Sequence, residues 1–200
     1  MKKTGYHHGD LRSALLNAAR TLVAEHGPDG FTMARAARQA GVSSGAPYKH
    51  FADRAALMNA LAEQGRAALM ERVNAASAHV TDPLEAFRQV GIAYAQFAVD
   101  EPGWFRVMGM PEYLGTIDDD PDIVGFWKPL AEMVNSVPAD AKLPADHPLI
   151  ASFAARVLVH GLASMLVAGT LDPLGIQRDR AAQLADAITS AIDLPGFKRP

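Results

Sequence analysis

Apolar residues recur along this chain at helical spacing. Leu11, Leu15, Ala18, Ala19, Leu22 and Val23 fall at i, i+4, i+7 and i+8 and share one face of a helix, which Gly27-Pro28-Asp29-Gly30 then breaks. Thr32 can cap a second, short helix whose buried face is Ala36, Ala37 and Ala40, and Gly41 stops it. Ser43 or Ser44 can cap a third. Pro47 locates that start, because a missing N–H is harmless only within the first turn, and the helix is expected to run to about Phe51. Asp53 caps a long helix from about Arg54 to His79, roughly 39 Å at ~1.5 Å per residue. Asp82-Pro83-Leu84-Glu85 places a cap, a proline at the first helical position and a glutamate at the third, and that helix should end near Glu101-Pro102. Further helices are expected near Gly103 to Met108, Pro121 to Ser136, Pro148 to Ala168 and Ile176 to Ile192, with an irregular acidic stretch from Thr116 to Asp122. No run of alternating β-branched residues and no internal repeat is found, so the pattern predicts an all-α chain of about nine helices.

Composition narrows the class. The chain has 200 residues, 49% of them hydrophobic and none of them cysteine, enough for one substantial core or two small ones. Thiol chemistry, disulfides and cysteine-ligated metal sites are excluded. The opening MKKTGYHHGDLR lacks the apolar core of a secretory signal, and the longest apolar stretch, Val157 to Leu171, is interrupted by His160 and falls short of the ~20 residues that span a bilayer. A cytoplasmic chain with no membrane partner is expected.

Charge is uneven. The formal net charge is −3, but residues 1–55 hold eight Lys and Arg against four acids, a local +4, while the remainder is −7. A basic head on an acidic body suits binding to phosphates, whose neutralisation releases counterions. Two short helices joined by Gly41-Val42-Ser43 match the helix-turn-helix pattern. Gly45 within the second costs about 1 kcal/mol of helix propensity relative to alanine, a cost that close backbone approach to a partner would justify.

The segment FTMARAARQAGVSSGAPYKHFADRAALMNAL, residues 31–61, resembles the DNA-binding signature of the TetR family of bacterial transcriptional regulators, with Tyr48-Lys49-His50-Phe51 its sharpest part. The opening YHHGDLRSALLNAA and Val159-His160-Gly161-Leu162 resemble a subgroup whose C-terminal domain is named for a Trp-His-Gly motif, with Arg156 standing where that tryptophan is expected. The resemblance implies a helix-turn-helix DNA-binding domain over residues 1–55 and a helical ligand-binding and dimerisation domain over residues 56–200. It also implies a homodimer, built through the last two helices, whose recognition helices enter successive major grooves of a palindromic double-stranded DNA operator. Carried over by position, Thr32, Tyr48, His50 and Arg54 would contact phosphates, while Ser44, Gly45, Ala46 and Lys49 would face base edges; Phe51 would fill the core of the head. Lys49 can donate to guanine O6 or N7, Ala46 can touch a thymine methyl and Ser44 can donate or accept.

Aromatic and thioether groups concentrate in the middle of the chain. Tyr94, Phe97, Trp104, Phe105, Met108, Phe126 and Trp127, with His160, are candidates to bind a small apolar or aromatic inducer, as the resemblance implies; taken alone, such a stripe reads as core. Asp118, Asp119, Asp120 and Asp122 lack the glycine and terminal glutamate of a calcium loop and read as a solvated turn, and His7-His8 point apart on a helix. No metal or cofactor is expected. Catalytic motifs such as G-x-S-x-G, H-E-x-x-H and the phosphate loop are missing, so no enzyme is expected; the resemblance implies a ligand-released repressor, and the alternative is a helical small-molecule-binding or adaptor protein without DNA-binding activity.

Overall fold

A computed structural model describes residues 8–113, 128–144 and 147–191. Among these the chain is helical without strands, with eight α-helices: α1 (His8–His26), α2 (Met33–Gln39), α3 (Arg54–Ser77), α4 (Pro83–Asp100), α5 (Pro102–Met108), α6 (Lys128–Ser136), α7 (Pro148–Ala168) and α8 (Ala181–Ala191). Three of the expected starts are made by the expected residues. Thr32 Oγ1 accepts from the Arg35 N–H at 3.2 Å, Asp53 Oδ1 from Ala56 N–H at 2.8 Å, and Asp82 Oδ1 from Leu84 N–H at 3.2 Å.

The third expected helix is instead a 3-10 turn, Pro47–Lys49, which begins after Ala46 without a side-chain cap, so neither Ser43 nor Ser44 caps it. Pro47 has no N–H to give the Ser43 carbonyl, which takes its bond from Ala46 N–H at 3.0 Å, so the chain winds one residue tighter than an α-helix. The last helix also starts later than the periodicity predicts, behind a 3-10 turn at Arg178–Arg180. Arg178 reaches back there, its Nε donating to Leu166 O and its Nη2 to Val167 O, both at 3.1 Å, and so covers carbonyls at the end of α7.

The chain divides into two compact units, one drawn from Met1–Leu69 with Glu101–Gly115 and the other from Met70–Asp100 with Thr116–Pro200. In the first, α1 buries Leu15, Leu16, Ala19 and Val23, α2 buries Ala36 and Ala37, and α3 buries Leu57, Met58 and Leu61. Helix α5 packs on α1. Gly103 permits that approach, since a Cβ there would stand 2.2 Å from the Arg20 carbonyl oxygen. Arg106 Nη1 then donates to Val23 O at 3.1 Å and Ala24 O at 2.9 Å in the last turn of α1.

In the second unit α4, α7 and α8 pack against one another around Ala95, Val159, Leu162, Leu166, Ala181 and Ala185. The α4–α8 contact is fastened by Arg88, which bonds Glu85 at 2.5 Å and Asp186. Helix α7 is capped at its start by His147 Nδ1, which accepts from Leu149 N–H at 3.2 Å, and ends at Gly169 in the left-handed conformation. Among the described residues, α7 alone is long and apolar enough to cross a bilayer by length and composition, and its Ala155, Val159, Ala163 and Leu166 are buried in this unit.

Candidate nucleic-acid interface

Local chemistry fixes the turn between α2 and α3. Helix α2 ends in a paired motif in which Gly41 N–H bonds Arg38 O at 3.1 Å and Val42 N–H bonds Ala37 O at 2.9 Å. That motif requires the left-handed region at its pivot, and Gly41 supplies φ +71° without the penalty a Cβ would carry. Beyond it, successive tight bonds from Ala46 to Ser43, Lys49 to Ala46 and His50 to Pro47 carry the chain to Phe51, whose N–H returns to Pro47 O at 3.0 Å.

Burial sorts the side chains of this turn. Pro47 and Phe51 point inward and anchor it, as expected for Phe51. Between them Tyr48 is 57% exposed, too open for a core aromatic, and Lys49 is exposed beside it; His50 is half-buried. Ser44 and Gly45 are exposed, Ala46 partly so, and Thr32 lies exposed at the start of α2. Gly45 does not have positive φ, and a Cβ on it would meet nothing within 4 Å. Neither backbone conformation nor internal crowding therefore requires glycine at this place.

The basic residues of the head do not all share that surface. Arg20 bonds Glu101 at 3.1 Å and lies 4.6 Å above the Trp104 ring, and Arg35 Nη1 donates to Gly30 O at 2.6 Å. Arg54 donates to Tyr113 Oη and to Pro28 O. Arg12, Arg38 and Lys49 are the exposed cations among these described residues. Arg12, which the sequence reading did not single out, stacks 5.2 Å from the Phe51 ring centroid and thus stands at the end of this turn. Its helical position toward solvent was a signal, but its neighbour is far along the chain.

The inducer candidates separate. Trp104, Phe105 and Met108 belong to the first unit, where Phe105 and Met108 are buried and Trp104 carries Arg20 on its face. Tyr94, Phe97 and His160 belong to the second, where Phe97 is buried and Tyr94 Oη lies 2.8 Å from His160 Nδ1. Partial burial holds the His160 imidazole below its ordinary range. Phe126 and Trp127 lie outside the described residues, as do His7 and the acidic run Asp118, Asp119, Asp120 and Asp122. Among the described residues no group of three or more His, Asp or Glu is arranged to hold a metal ion.

Known proteins with similar sequence and shape agree with this arrangement. Residues 15–61 match the sequence model of bacterial regulatory proteins of the tetR family, and residues 87–191 match the tetracyclin repressor-like C-terminal domain. The nucleoid occlusion factor SlmA of Vibrio vulnificus is 35% identical over 105 residues, 52% of this chain and 54% of that protein. This chain thus spans about half the length of the curated relatives it matches. Among solved structures, a protein of unknown function from Rhodococcus sp. RHA1 is 28% identical, with TM-score 0.61 and coverage of 95% of this chain and 99% of that one. NalD, the secondary repressor of the MexAB-OprM multidrug efflux pump in Pseudomonas aeruginosa, shares the fold with TM-score 0.59 at 22% identity, covering 95% and 98% of the two chains. Two family matches that together take in the capped helix pair, the turn that joins it and the α4–α7–α8 body make this chain a member of the TetR family of bacterial transcriptional regulators.

Proposed function

We propose that the protein is a repressor that binds a palindromic operator as a homodimer and is released by a small apolar or aromatic inducer. The observation that carries this reading is the turn between Gly41 and Phe51. Its two inward residues, Pro47 and Phe51, are buried, while Tyr48 and Lys49 between them face solvent. A tyrosine and a lysine held outward on a tight turn can meet a phosphate and a base edge together. In this reading Thr32, Tyr48 and His50 meet phosphates, and Ser44, Gly45, Ala46 and Lys49 meet base edges. Arg54 has a separate part, argued below.

The dimer rests on α7. Ala154, Val157, Leu158, Gly161, Met165 and Ala168 recur at i, i+3, i+4, i+7 spacing, with Val157 and Leu158 each 49% exposed and Met165 42% exposed. Small residues among larger ones let a second helix approach closely, and α8 extends the same surface in a four-helix arrangement with the partner's pair. For the inducer, Tyr94 and His160 offer polar groups in the second unit. Release follows if the inducer prefers a state in which the heads are no longer at operator spacing, since the operator then loses affinity by that difference. Helix α3, whose residues pass from the first unit to the second, is the lever in this scheme.

The test is fluorescence anisotropy of duplexes selected from a random pool, followed by footprinting on DNA flanking the protein's own gene. A protected, two-fold symmetric site with salt-dependent affinity supports the reading. Salt-independent or undetectable association with every duplex overturns it in favour of a small-molecule-binding or adaptor protein.

A further inference from the structure

Arg54 opens α3, and both of its terminal nitrogens are engaged within the first unit. Nη1 donates to the Tyr113 hydroxyl at 3.1 Å, Nη2 donates to the Pro28 carbonyl at 3.0 Å, and the guanidinium carbon lies 5.9 Å from the Phe31 ring centroid. Pro28 belongs to the tight turn that joins α1 to α2, and Phe31, 2% exposed, immediately precedes the Thr32 cap. Tyr113 ends the 3-10 turn Pro111–Tyr113 that follows α5 and is itself only 4% exposed. Its carbonyl accepts from Arg66 Nη1 at 2.8 Å, so α3 holds Tyr113 at the hydroxyl through one arginine and at the backbone through another. A buried phenol must find a partner for its hydroxyl, and a charged donor makes the stronger bond.

The same guanidinium therefore fastens both flanks of the DNA-reading turn. One flank, α2, is anchored through the Pro28–Phe31 corner that leads into its cap; the other, α3, carries Arg54 in its first turn. With the two ends tied to one planar group, the span and angle of residues 43–51 are set. A guanidinium committed to a carbonyl, a phenol and an aromatic face is poorly placed to lead a phosphate contact as well.

We propose that Arg54 is a positioning residue for DNA binding, with Tyr113 as its partner, and that the exposed Arg12 and Arg38 take phosphate contacts in its place. Tyr113 lies outside residues 1–61, so the DNA-reading surface depends on a segment donated from beyond α4. This inference rests on the DNA-binding reading above.

The experiment measures anisotropy of the full chain on a selected duplex and on one of mixed sequence, across a range of salt concentrations. Tyr113→Phe keeps the ring and removes the hydroxyl; it should weaken binding to the selected duplex about fivefold, as expected for one hydrogen bond. The slope of log affinity against log salt should not change, because no phosphate contact is lost. Arg54→Gln removes the charge and should likewise leave the slope unchanged. The double variant should be no weaker than the weaker single one, a non-additivity that general loss of stability does not produce. If Arg54→Gln does not fold, Arg54→Lys, which keeps the charge but cannot span both acceptors, should show the same loss at constant slope.

A slope reduced by about 0.9 in Arg54→Gln would make Arg54 a phosphate contact and overturn the proposal. Unchanged affinity in Tyr113→Phe, with the parent protein binding normally, overturns the clasp alone. Failure of the parent protein to bind either duplex overturns the DNA-binding reading and the clasp with it.

Discussion

The Tyr94 hydroxyl and His160 Nδ1 are 2.8 Å apart, with their ring centroids separated by 6.1 Å, so a phenol–imidazole hydrogen bond joins α4 to α7. The other ring nitrogen, Nε2, faces Ser164 Oγ at 3.4 Å one helical turn on. Partial burial of the imidazole disfavours its charged form and lowers its pKa below the ordinary 6.5. As pH falls below 6.5 the unfolded chain takes up a proton at this histidine before the folded chain does, and stability falls. Denaturant titrations at pH 7.5 and pH 5.5 should show this loss in the parent protein and a smaller loss in His160→Asn. An equal pH dependence in both would place the titration elsewhere.

Tyr48 and Lys49 should separate affinity from specificity. Tyr48 is 57% exposed, so Tyr48→Ala should leave the melting temperature almost unchanged while weakening binding to every duplex. Lys49→Ala should also relax preference at one base position, by about 1–3 kcal/mol if its partner is a guanine edge. Binding profiles over a randomised half-site, collected at low and physiological salt, distinguish the two. Unaltered profiles in both variants would remove the turn from the interface.

Two glycines should respond in opposite ways to alanine. At Gly103 a Cβ would press on the Arg20 carbonyl oxygen 2.2 Å away, and backbone cannot yield as a side chain can. Gly103→Ala should therefore destabilise the fold by about 1–3 kcal/mol through a forced shift of α5 from α1. At Gly45 a Cβ meets nothing within 4 Å, so Gly45→Ala should leave stability level or slightly raised, by up to ~1 kcal/mol, and still weaken DNA binding if backbone approach matters there. Urea unfolding of both variants beside duplex titration of the second checks the pair of outcomes.

Sedimentation velocity addresses the partner surface. Val157→Asp places a charge on a side that is already 49% exposed in one chain, so the isolated chain should fold as before. A homodimer through α7 and α8 should dissociate to monomer in the same variant and lose operator affinity with it. Dimer persisting at micromolar protein would move the interface elsewhere.

Much of the head was legible because its devices are local. The caps at Thr32 and Asp53 each act within three residues, as the Asp82 cap does at the start of α4, and the glycine stop at residue 41 is a neighbour effect. Sequence periodicity thus located α1 to α5 well. It could not decide between an α-helix and a 3-10 turn after Ser43, since that depends on which carbonyl the missing Pro47 N–H leaves to be served by Ala46. His147 as the cap of α7 was also missed, because an imidazole rarely serves where Ser, Thr, Asp or Asn is expected.

Contacts over long separations were not legible at all. The resemblance placed Arg54 at the phosphates, and nothing adjacent in sequence announces Tyr113, 59 residues away. The middle aromatics read as one group by proximity along the chain, yet Phe97 and Phe105, eight positions apart, belong to different units. Composition reported a basic head but not which of its cations are committed inside it.

The contacts that complete the first unit also impose a schedule on its birth. Arg20 waits for Glu101, Val23 and Ala24 for Arg106, and Arg54 for Tyr113, over separations of 81, 83, 82 and 59 residues. Closing such loops costs entropy that local helix formation does not recover early, so these bonds form late. On the ribosome α4 must be made before the segment that finishes the head exists. A nascent chain in which residues 41–51 are already synthesised thus lacks the Arg54–Tyr113 bond until the segment after α5 is added.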